Sequence, residues 1–322
     1  MQPDVSVVVP ARDSEKYLTD LLHALESQTL AADRFEVIIV DDGSTDGTAE
    51  IVADWASRDS RRRCLVRGKG AGPAYARNLG VRAARGEWVA FTDSDTVPDP
   101  DWLEAGLGAL QRLGVEALEG AIYNDGEDAT GFYTGTAMNL QGGIFMTANM
   151  IFLRRLVLEV GGFDERFEVP SAEDRELSMR VLAAGREIPF VPDVRVRHPL
   201  VLQSPAGLLR QTRRFSYFGL VWAKHPEMSK ADRDVIRVLN HVDIDILLTW
   251  LGLVGLRRTT GFGRLALSLF VANGLRRAAG SGEIFRSPIE EAPARALMVM
   301  TLPILKAIRC LQGAIRYRTL FW

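Results

Sequence analysis

The chain has 322 residues, and 47% of them are hydrophobic, so it can bury a large core and lacks the composition of a disordered protein. Its cysteines, Cys64 and Cys310, lie far apart without a CxxC pattern. That spacing argues against a disulfide framework and against a cysteine zinc site, and it fits a reducing cytosol. The first residues lack the basic start of a signal peptide, and we expect a cytoplasmic protein.

The net charge of −2 conceals two regions of opposite charge. Residues 201–322 contain 18 Lys and Arg against 8 Asp and Glu, whereas residues 1–200 contain 21 against 33. We therefore predict two parts with different partners, a first domain over 1–200 and a basic, mainly helical region over 201–322. The apolar segments 246–256 and 296–305 are shorter than the roughly 18 residues that span a bilayer, so we expect no transmembrane helix.

Strand and helix patterns alternate along the first domain. The β-branched runs VSVVV (5–9) and VIIV (37–40) lack polar alternation, as in strands buried on both faces of a parallel sheet. Segment 14–28 between them has apolar residues at helical spacing, with Ser14 as the expected N-cap. Further strands are predicted at 65–66, 88–92, 115–119 and 188–191, and the uncharged segment 129–153 is interpreted as buried and rich in loops. This order indicates an open α/β sheet, whose ligands bind at the carboxyl ends of the strands.

The loop VDDGSTDGT (40–48) follows the second strand at such an end. Asp41 and Asp42 leave the strand, and Ser44 or Thr45 can cap the next helix. Two interpretations stay open: an ordinary turn with solvated acids, or a loop that recognises a base. A carboxylate can accept a hydrogen bond from N3–H of uracil or thymine, whereas cytosine and adenine have no equivalent ring donor.

The segment FTDSDTVPDPDW (91–102) places Asp93 and Asp95 directly after another strand. In an extended chain their side chains project to one side, where two hard oxygen ligands can hold Mg²⁺ or Mn²⁺ against a diphosphate. The spacing is not that of an EF-hand loop, because Pro98 stands where the glycine is needed. Asp99 and Asp101 are assigned to a turn and to the start of a helix.

The segment SAEDRELSMRVLAAG (171–185) has the pattern of a short helix that ends at Gly185. Ser171 and Asp174 have the spacing of a capping box, which would explain both residues without any chemistry. A carboxylate used as a base is the alternative.

Taken in order, the motifs from residue 5 to residue 199 resemble the family 2 glycosyltransferases of the GT-A fold. The resemblance is carried by VSVVVPARDSEKYL, VDDGSTDGT, ARNLGVRAARGEWVAFTDSD, GGFDERF, AEDRELSMRVLAAG and VRVRHP. It implies an α/β fold of Rossmann-like type, with a mostly parallel central sheet, flanking helices and a mainly helical C-terminal extension.

The resemblance also implies residue roles. Asp174 matches the general base, and its neighbour Glu173 is expected to contact the acceptor or the nucleotide sugar. The implied nucleotide-binding residues are Pro10, Ala11, Arg12, Asp41, Asp42, Arg77, Asp93, Ser94, Asp95 and Arg214, with Asn78 lining the same site. The implied ligands of a divalent cation, Mn²⁺ or Mg²⁺, are Asp93, Asp95 and His198. Asn149 and Gln211 are expected on the acceptor side.

QTRRF (211–215) resembles the QxxRW motif of processive polysaccharide synthases, but Phe215 replaces Trp and their transmembrane helices are not found, so a processive polymerase is not expected. Arg214 either neutralises the departing diphosphate or lies on a solvated helix surface.

The activity implied is inverting transfer of a sugar from a nucleoside-diphosphate sugar to an acceptor hydroxyl on a lipid-linked, saccharide or small-molecule acceptor. UDP is the expected nucleotide, with dTDP and GDP left open, and nucleic acid is not an expected partner. The alternative is a non-catalytic protein that binds nucleotide sugars on the same fold. A nicotinamide dehydrogenase is disfavoured, because the first strand is not followed by GxGxxG.

The last predicted helix, ILKAIRCLQGAIRYR (304–318), is amphipathic. Its apolar stripe is Ile304, Ile308, Leu311 and Ile315; Lys306, Arg309 and Arg316 lie on another side; Phe321 and Trp322 end the sequence. With the positive charge of 201–322, this pattern predicts peripheral binding to an anionic membrane at the inner face of the plasma membrane. The alternative is a helix that packs on its own domain with solvated charges.

Overall fold

The computed structural model describes residues 2–66, 68, 70–124, 137–199, 205–225, 305 and 308–318. The described residues form two compact units, one containing those up to 199 and the other those from 205 onward. Segment 246–256, most of segment 296–305 and the terminal Phe321 and Trp322 lie outside the described residues.

An eight-stranded mixed sheet with helices on its faces forms the first unit. The strands are β1 (Val5–Ala11), β2 (Phe35–Asp41), β3 (Arg62–Val66), β4 (Trp88–Phe91), β5 (Val97–Pro98), β6 (Ala117–Tyr123), β7 (Met150–Leu153) and β8 (Phe190–Arg197). The helices are α1 (Glu15–Glu26), α2 (Thr48–Ser57), α3 (Pro73–Ala83), α4 (Trp102–Leu113), α5 (Arg154–Glu159) and α6 (Glu173–Ala183), with short 3₁₀ turns at Ala32–Arg34 and Thr147–Asn149. The predicted α/β class is confirmed.

The strand order is β3-β2-β1-β4-β7-β6-β8-β5. The first four strands in that order run parallel, so the loops that follow them emerge at one edge of the sheet. β7 runs antiparallel between β4 and β6, β6 and β8 run parallel, and β5 pairs antiparallel with β8. The strand direction therefore reverses in the middle of the sheet, between β7 and β4, the strand after which Asp93 follows.

The central strands are buried on both faces of the sheet, which explains their continuous apolar sequences. Val5, Val7, Val8 and Val9 of β1 have no exposed surface, as expected for a strand covered by helices on both faces. The predicted apolar face of α1 is confirmed, because its leucines pack into the same core. Trp102 at the start of α4 is among the largest fully buried side chains.

Some local predictions are wrong. Segment 129–153, interpreted as buried and rich in loops, is mostly irregular over 137–149 and buried over 147–153, but it also contains the strand β7, which was not predicted. Ser14 is the N-cap residue of α1, as predicted, although its side chain makes no capping hydrogen bond, and the N-cap residue of α2 is Gly47 rather than Ser44 or Thr45. Ser171 is not the N-cap residue of α6, since Ala172 occupies that position without a side-chain capping hydrogen bond. The capping box therefore does not account for Asp174.

The described part of the second unit is helical, as predicted. It contains α7 (Pro205–Gln211), a 3₁₀ turn (Thr212–Tyr217), α8 (Phe218–Lys224) and a helix over 308–316. The backbones of α8 and the helix over 308–316 are in close contact at Gly219 and Gly313. A Cβ on Gly219 would lie 2.4 Å from the Gly313 carbonyl carbon, so this contact requires glycine. Within the described residues, no helix is both long and apolar enough to cross a membrane.

Candidate active site

The loops after β1 and β2 are joined by cross-loop hydrogen bonds. The Asp13 amide donates to Ser44 Oγ (2.9 Å), and the Thr45 amide donates to Asp13 Oδ1 (2.8 Å). The Ser14 amide donates to Thr48 Oγ1 (2.7 Å). Because each bond links residues more than 30 positions apart in sequence, the two loops form one rigid edge.

Asp41 and Asp42 are both buried, and each organises backbone. Asp41 accepts hydrogen bonds from the amide and hydroxyl of Ser44, which fixes the turn after β2. Asp42 accepts from the amides of Ala71 (2.8 Å) and Gly72 (2.7 Å) and so holds the loop before α3. Gly72 adopts φ +97°, and a Cβ there would lie 2.5 Å from the Glu168 carbonyl oxygen, so the loop requires glycine at this position.

The other predicted nucleotide residues of this edge lie at the ends of β1 and β4. Pro10 is half-buried, Ala11 is buried and Arg12 is exposed, with Arg12 Nη1 4.0 Å from Asp42 Oδ2. Ser94 Oγ lies 2.7 Å from Ser14 Oγ, which links the β4 loop to the β1 loop. Sequence reasoning missed this contact, because it gave Ser14 a capping role.

Arg77 connects the two acidic motifs. Its Nη2 donates to Asp93 Oδ1 (2.8 Å) and its Nη1 donates to Glu173 Oε1 (2.9 Å). Arg77 and Glu173 are only 4% and 2% exposed, so this ion pair is inside the protein. Burial opposes the charge of Arg77, but Asp93, Glu173 and Asp174 outweigh it and raise the pKa of the guanidinium above its ordinary value. The guanidinium is thus engaged by protein carboxylates.

Asp174 is the less buried acid of the second motif. It is half-buried, whereas Glu173 beside it is buried. Burial, reinforced by the charge of Glu173, raises the pKa of Asp174 to about 7, while Arg77 and the amides of Arg175 and Thr147 oppose the rise. The Thr147 amide lies 3.3 Å from Asp174 Oδ2. A carboxyl group with such a pKa can take up a proton at neutral pH.

Asp95 and His198 meet across the end of the sheet, with His198 Nε2 3.6 Å from Asp95 Oδ2. His198 Nδ1 is 3.0 Å from the Pro199 carbonyl oxygen, which accepts only if Nδ1 carries the proton. In the neutral ring with the proton on Nδ1, Nε2 has the lone pair that a metal ligand requires. In the described ranges, no three His, Cys, Asp or Glu side chains are already gathered as a metal site.

Asn149 does not belong on the acceptor side. It has no exposed surface, its Nδ2 donates to the carbonyls of Ala121 (2.8 Å) and Val194 (2.9 Å), and its Oδ1 accepts from Trp102 Nε1 (2.9 Å). Gly120 makes room, since a Cβ there would lie 2.4 Å from Asn149 Nδ2. Because its side chain is fully buried and all its polar atoms are bonded inside the protein, Asn149 has no atom to offer an acceptor.

Asn78 is also structural. It forms a two-way pair with Phe163, donating to its carbonyl and accepting from its amide at 2.8 Å each, and is 7% exposed. Gln211 and Arg214 belong to the second unit, where Gln211 ends α7 and Arg214 lies in the 3₁₀ turn that follows. Their expected roles stay predictions.

Sequence reasoning also missed Glu119 and Thr147. Glu119 is a fully buried acid in β6, and Thr147 begins the 3₁₀ turn before β7. An acid inside an otherwise apolar strand was the available signal for Glu119. Nothing in the local sequence marks Thr147, because it contacts Asp174 through its backbone amide, which every residue type except proline has.

Known proteins resemble this chain over most of its length. The profile of glycosyl transferase family 2 matches residues 6–163, and that of glycosyl transferase family group 2 matches residues 88–305. Glycosyltransferase AglE of Haloferax volcanii is 30% identical over 206 residues, which is 61% of this chain and 67% of that protein. The pre-mycofactocin glycosyltransferase of Mycobacterium tuberculosis is 28% identical over 95% of this chain and 64% of its own length. The chain covers 42% of glycosyltransferase GlyG of Streptococcus pneumoniae.

Solved structures share the fold. TarS of S. aureus in complex with UDP has a TM-score of 0.53 at 20% identity, covering 99% of this chain and 93% of that one. The mannosyltransferase PcManGT of Pyrobaculum calidifontis, in complex with GDP-Man and Mn²⁺, has a TM-score of 0.59 at 21% identity, covering 97% and 88%. The family match spans more than half of the chain, and the fold with its two acidic motifs agrees with it: the chain is a glycosyltransferase that belongs to family 2.

Proposed function

We propose that this glycosyltransferase transfers a sugar from a nucleoside-diphosphate sugar to an acceptor hydroxyl with inversion, and that Asp174 is the general base. The observation that carries the proposal is the pair of adjacent acids with different burial. Glu173 is buried and paired with Arg77, whereas Asp174 is half-buried, and partial burial and the charge of Glu173 raise the pKa of Asp174 to about 7. A base whose pKa lies near the working pH combines ionisation with proton affinity.

The donor would bind at the rigid edge formed by the loops after β1, β2 and β4. Asp42 is the expected partner for N3–H of uracil, and the structure adds that its carboxylate also holds the amides of residues 71 and 72. UDP stays the expected nucleotide. The solved structures of similar fold contain UDP, UDP-GlcNAc or GDP-Man, so both nucleotides belong in the test.

The donor set of Asp95 and His198 fits a divalent cation. Mg²⁺ and Mn²⁺ need only one or two protein carboxylates when the remaining ligands are water and substrate phosphates. Asp95 offers a carboxylate and His198 a free Nε2, while Asp93 shares its carboxylate with Arg77. When bound, such a cation stabilises the negative charge that develops on the leaving diphosphate. Asp174 would take up the proton of the acceptor hydroxyl, and Arg77 would keep Asp93 and Glu173 in place.

Hydrolysis and transfer assays test this function. UDP-, dTDP- and GDP-sugars are supplied with Mn²⁺, and release of the nucleoside diphosphate is followed with and without acceptor alcohols. Asp174→Asn should lower the rate by about 10²–10⁴-fold while nucleotide affinity by calorimetry stays unchanged. Asp193→Asn, at an exposed position of β8, is the matched control and should behave as wild type. Full turnover by Asp174→Asn would remove Asp174 from the reaction, and a non-catalytic binding protein would release no product.

We also propose that the second unit rests on an anionic membrane and that the acceptor is lipid-linked. The predicted apolar stripe of the last helix is solvent-exposed where described: Ile308, Leu311 and Ile315 are 45%, 51% and 58% exposed. The helix packs through its other side instead, where Cys310 and Ala314 are buried. An exposed apolar stripe with positive charge around it suits insertion at a lipid interface.

Vesicle flotation tests the membrane proposal. Full-length protein should float with phosphatidylglycerol vesicles at low salt and much less with phosphatidylcholine vesicles, because the positive charge needs an anionic partner. Leu311→Asp should abolish flotation, whereas Gln312→Asp adds the same charge at the next exposed position and should weaken it only partly. Equal flotation of both variants would show that this stripe does not insert.

A further inference from the structure

We propose that Glu119 is a positioning residue that holds residues 139–147 in the conformation in which the Thr147 amide contacts Asp174. The proposal rests on the proposed role of Asp174 as base. It gives the buried acid of β6 a task in the reaction, although Glu119 itself touches neither donor nor acceptor.

The carboxylate of Glu119 is surrounded by N–H donors from one loop. Oε1 accepts from Asn139 Nδ2 (2.8 Å) and from the amides of Ile144 (3.1 Å) and Phe145, and Oε2 accepts from the amide of Gly143 (2.6 Å). Glu119 is 1% exposed, and no cation among the described residues pairs with it. Three consecutive backbone amides around one anion form a nest, which fixes the path of the loop.

The loop needs this support, because its backbone is unusual. Gly142 and Gly143 have φ of +78° and +81°, and Phe145 has φ +62°, which is costly for a bulky residue. Asn139 adds a second constraint, since its Oδ1 accepts from the Gly142 amide at 2.9 Å. Such a conformation persists only where the surroundings impose it.

The last residue of the loop, Thr147, lies beside Asp174. Two residues after Phe145, the Thr147 amide lies 3.3 Å from Asp174 Oδ2, and two residues later Asn149 is locked into the core by Ala121 and Val194. Glu119 fixes the loop on one side of Thr147, and Asn149 fixes it on the other. The position of the amide that supports the base therefore depends on both anchors.

A neutral isostere cannot replace the carboxylate. In Glu119→Gln one oxygen becomes an NH₂ donor, which faces an amide donor wherever the side chain is turned. The variant keeps the volume of the side chain and loses at least one bond to the loop. Glu36→Gln is the matched control: Glu36 is 3% exposed, accepts from Ser6 Oγ and the Arg85 amide at 2.7 Å each, and lies at the start of β2, away from the loop.

Hydrogen exchange tests the positioning directly in the full-length protein. Peptides covering residues 139–149 should exchange faster in Glu119→Gln than in wild type, and Glu36→Gln should leave them unchanged. Asn139→Ala, which removes a partner of the same carboxylate, should speed exchange in the same peptides. If Glu119→Gln leaves their exchange unchanged, the inference is wrong whether or not the protein turns over.

Kinetics test the link to the base. With the nucleotide sugar that the wild type cleaves, Glu119→Gln should lower the rate of nucleoside-diphosphate release about 10- to 100-fold and leave the Kd for that nucleotide unchanged. In the Asp174→Asn background the same change should have almost no further effect, because both act on one step. Additive losses would show that Glu119 acts elsewhere. No cleavage of any donor by the wild type would contradict the proposed function, and hydrogen exchange would still decide the role of Glu119 in the loop.

Discussion

Replacing Arg77 by Met should destabilise the protein more than any surface change on the same helix. The substitution keeps a long apolar side chain but removes the cation that Asp93 and Glu173 share. Asp93 is partly exposed and can be solvated by water, with 30% of its side chain accessible. Glu173 is buried, and its carboxylate would lose its charged partner.

The expected magnitude follows from that asymmetry. Removing one partner of a buried ion pair costs about 3–5 kcal/mol, mostly because the other charge stays buried without compensation. For a domain of about 150–250 residues, such as the first unit, 1 kcal/mol corresponds to about 2–4 °C in Tm, so Arg77→Met should lower the Tm of this unit by roughly 6–20 °C. The change is a large fraction of a typical free energy of unfolding, about 5–15 kcal/mol.

Differential scanning calorimetry measures the loss. Arg82→Met on the same helix is the control: half of its side chain is exposed and its ion pair with Glu165 is 3.7 Å long, so its Tm should change little. Arg77→Met combined with Glu173→Gln should recover part of the loss, because the unpaired buried charge is then absent. If Arg77→Met melts together with Arg82→Met, the Arg77 ion pair does not stabilise the fold and the reasoning fails.

Three further outcomes are expected. Because the active base is ionised and burial with Glu173 raises the pKa of Asp174 to about 7, kcat/KM should rise about tenfold per pH unit below that value and level off above it; a profile that is flat from pH 5 to 8 would exclude Asp174. Asp95→Ala should abolish the increase in nucleotide affinity that Mn²⁺ produces in calorimetry, and an unchanged increase would remove Asp95 from the ligand set. Asn149→Ala should lower Tm through its lost buried hydrogen bonds while the folded fraction keeps its KM for the acceptor; a raised acceptor KM in the folded fraction would return Asn149 to the acceptor side.

The sequence predicts the part of the sheet that contains β1, β2 and β4 well, because several local signals agree there. The runs 5–9 and 37–40 are β-branched and uninterrupted, and acids follow directly after β2 and β4. In a parallel sheet, residues at the carboxyl ends of neighbouring strands meet at one edge, so the placement of Asp42 beside the β1 loop follows from the pattern alone.

The part of the fold that contains β6, β7 and α6 depends on contacts that no local sequence pattern reveals. β7 is four residues long and follows a segment rich in glycine and amides, so its strand character is hidden. The pairing of Arg77 with Glu173 joins residues 96 positions apart. Asn149 was expected on the acceptor side, yet it bonds to the carbonyls of Ala121 and Val194, which lie 28 and 45 positions away in sequence.

The bonds between the β1 and β2 loops have a consequence for the thermodynamics of donor binding. Asp13, Ser14 and Glu15 bond to residues 44–48 through the protein's own backbone and side-chain groups, so the entropy of ordering these loops is lost during folding rather than during binding. A nucleotide would meet a surface that is already ordered, which favours affinity without a large change of shape. The heat-capacity change of binding should then correspond to the buried area of the ligand and its contacts, with no contribution from loop folding.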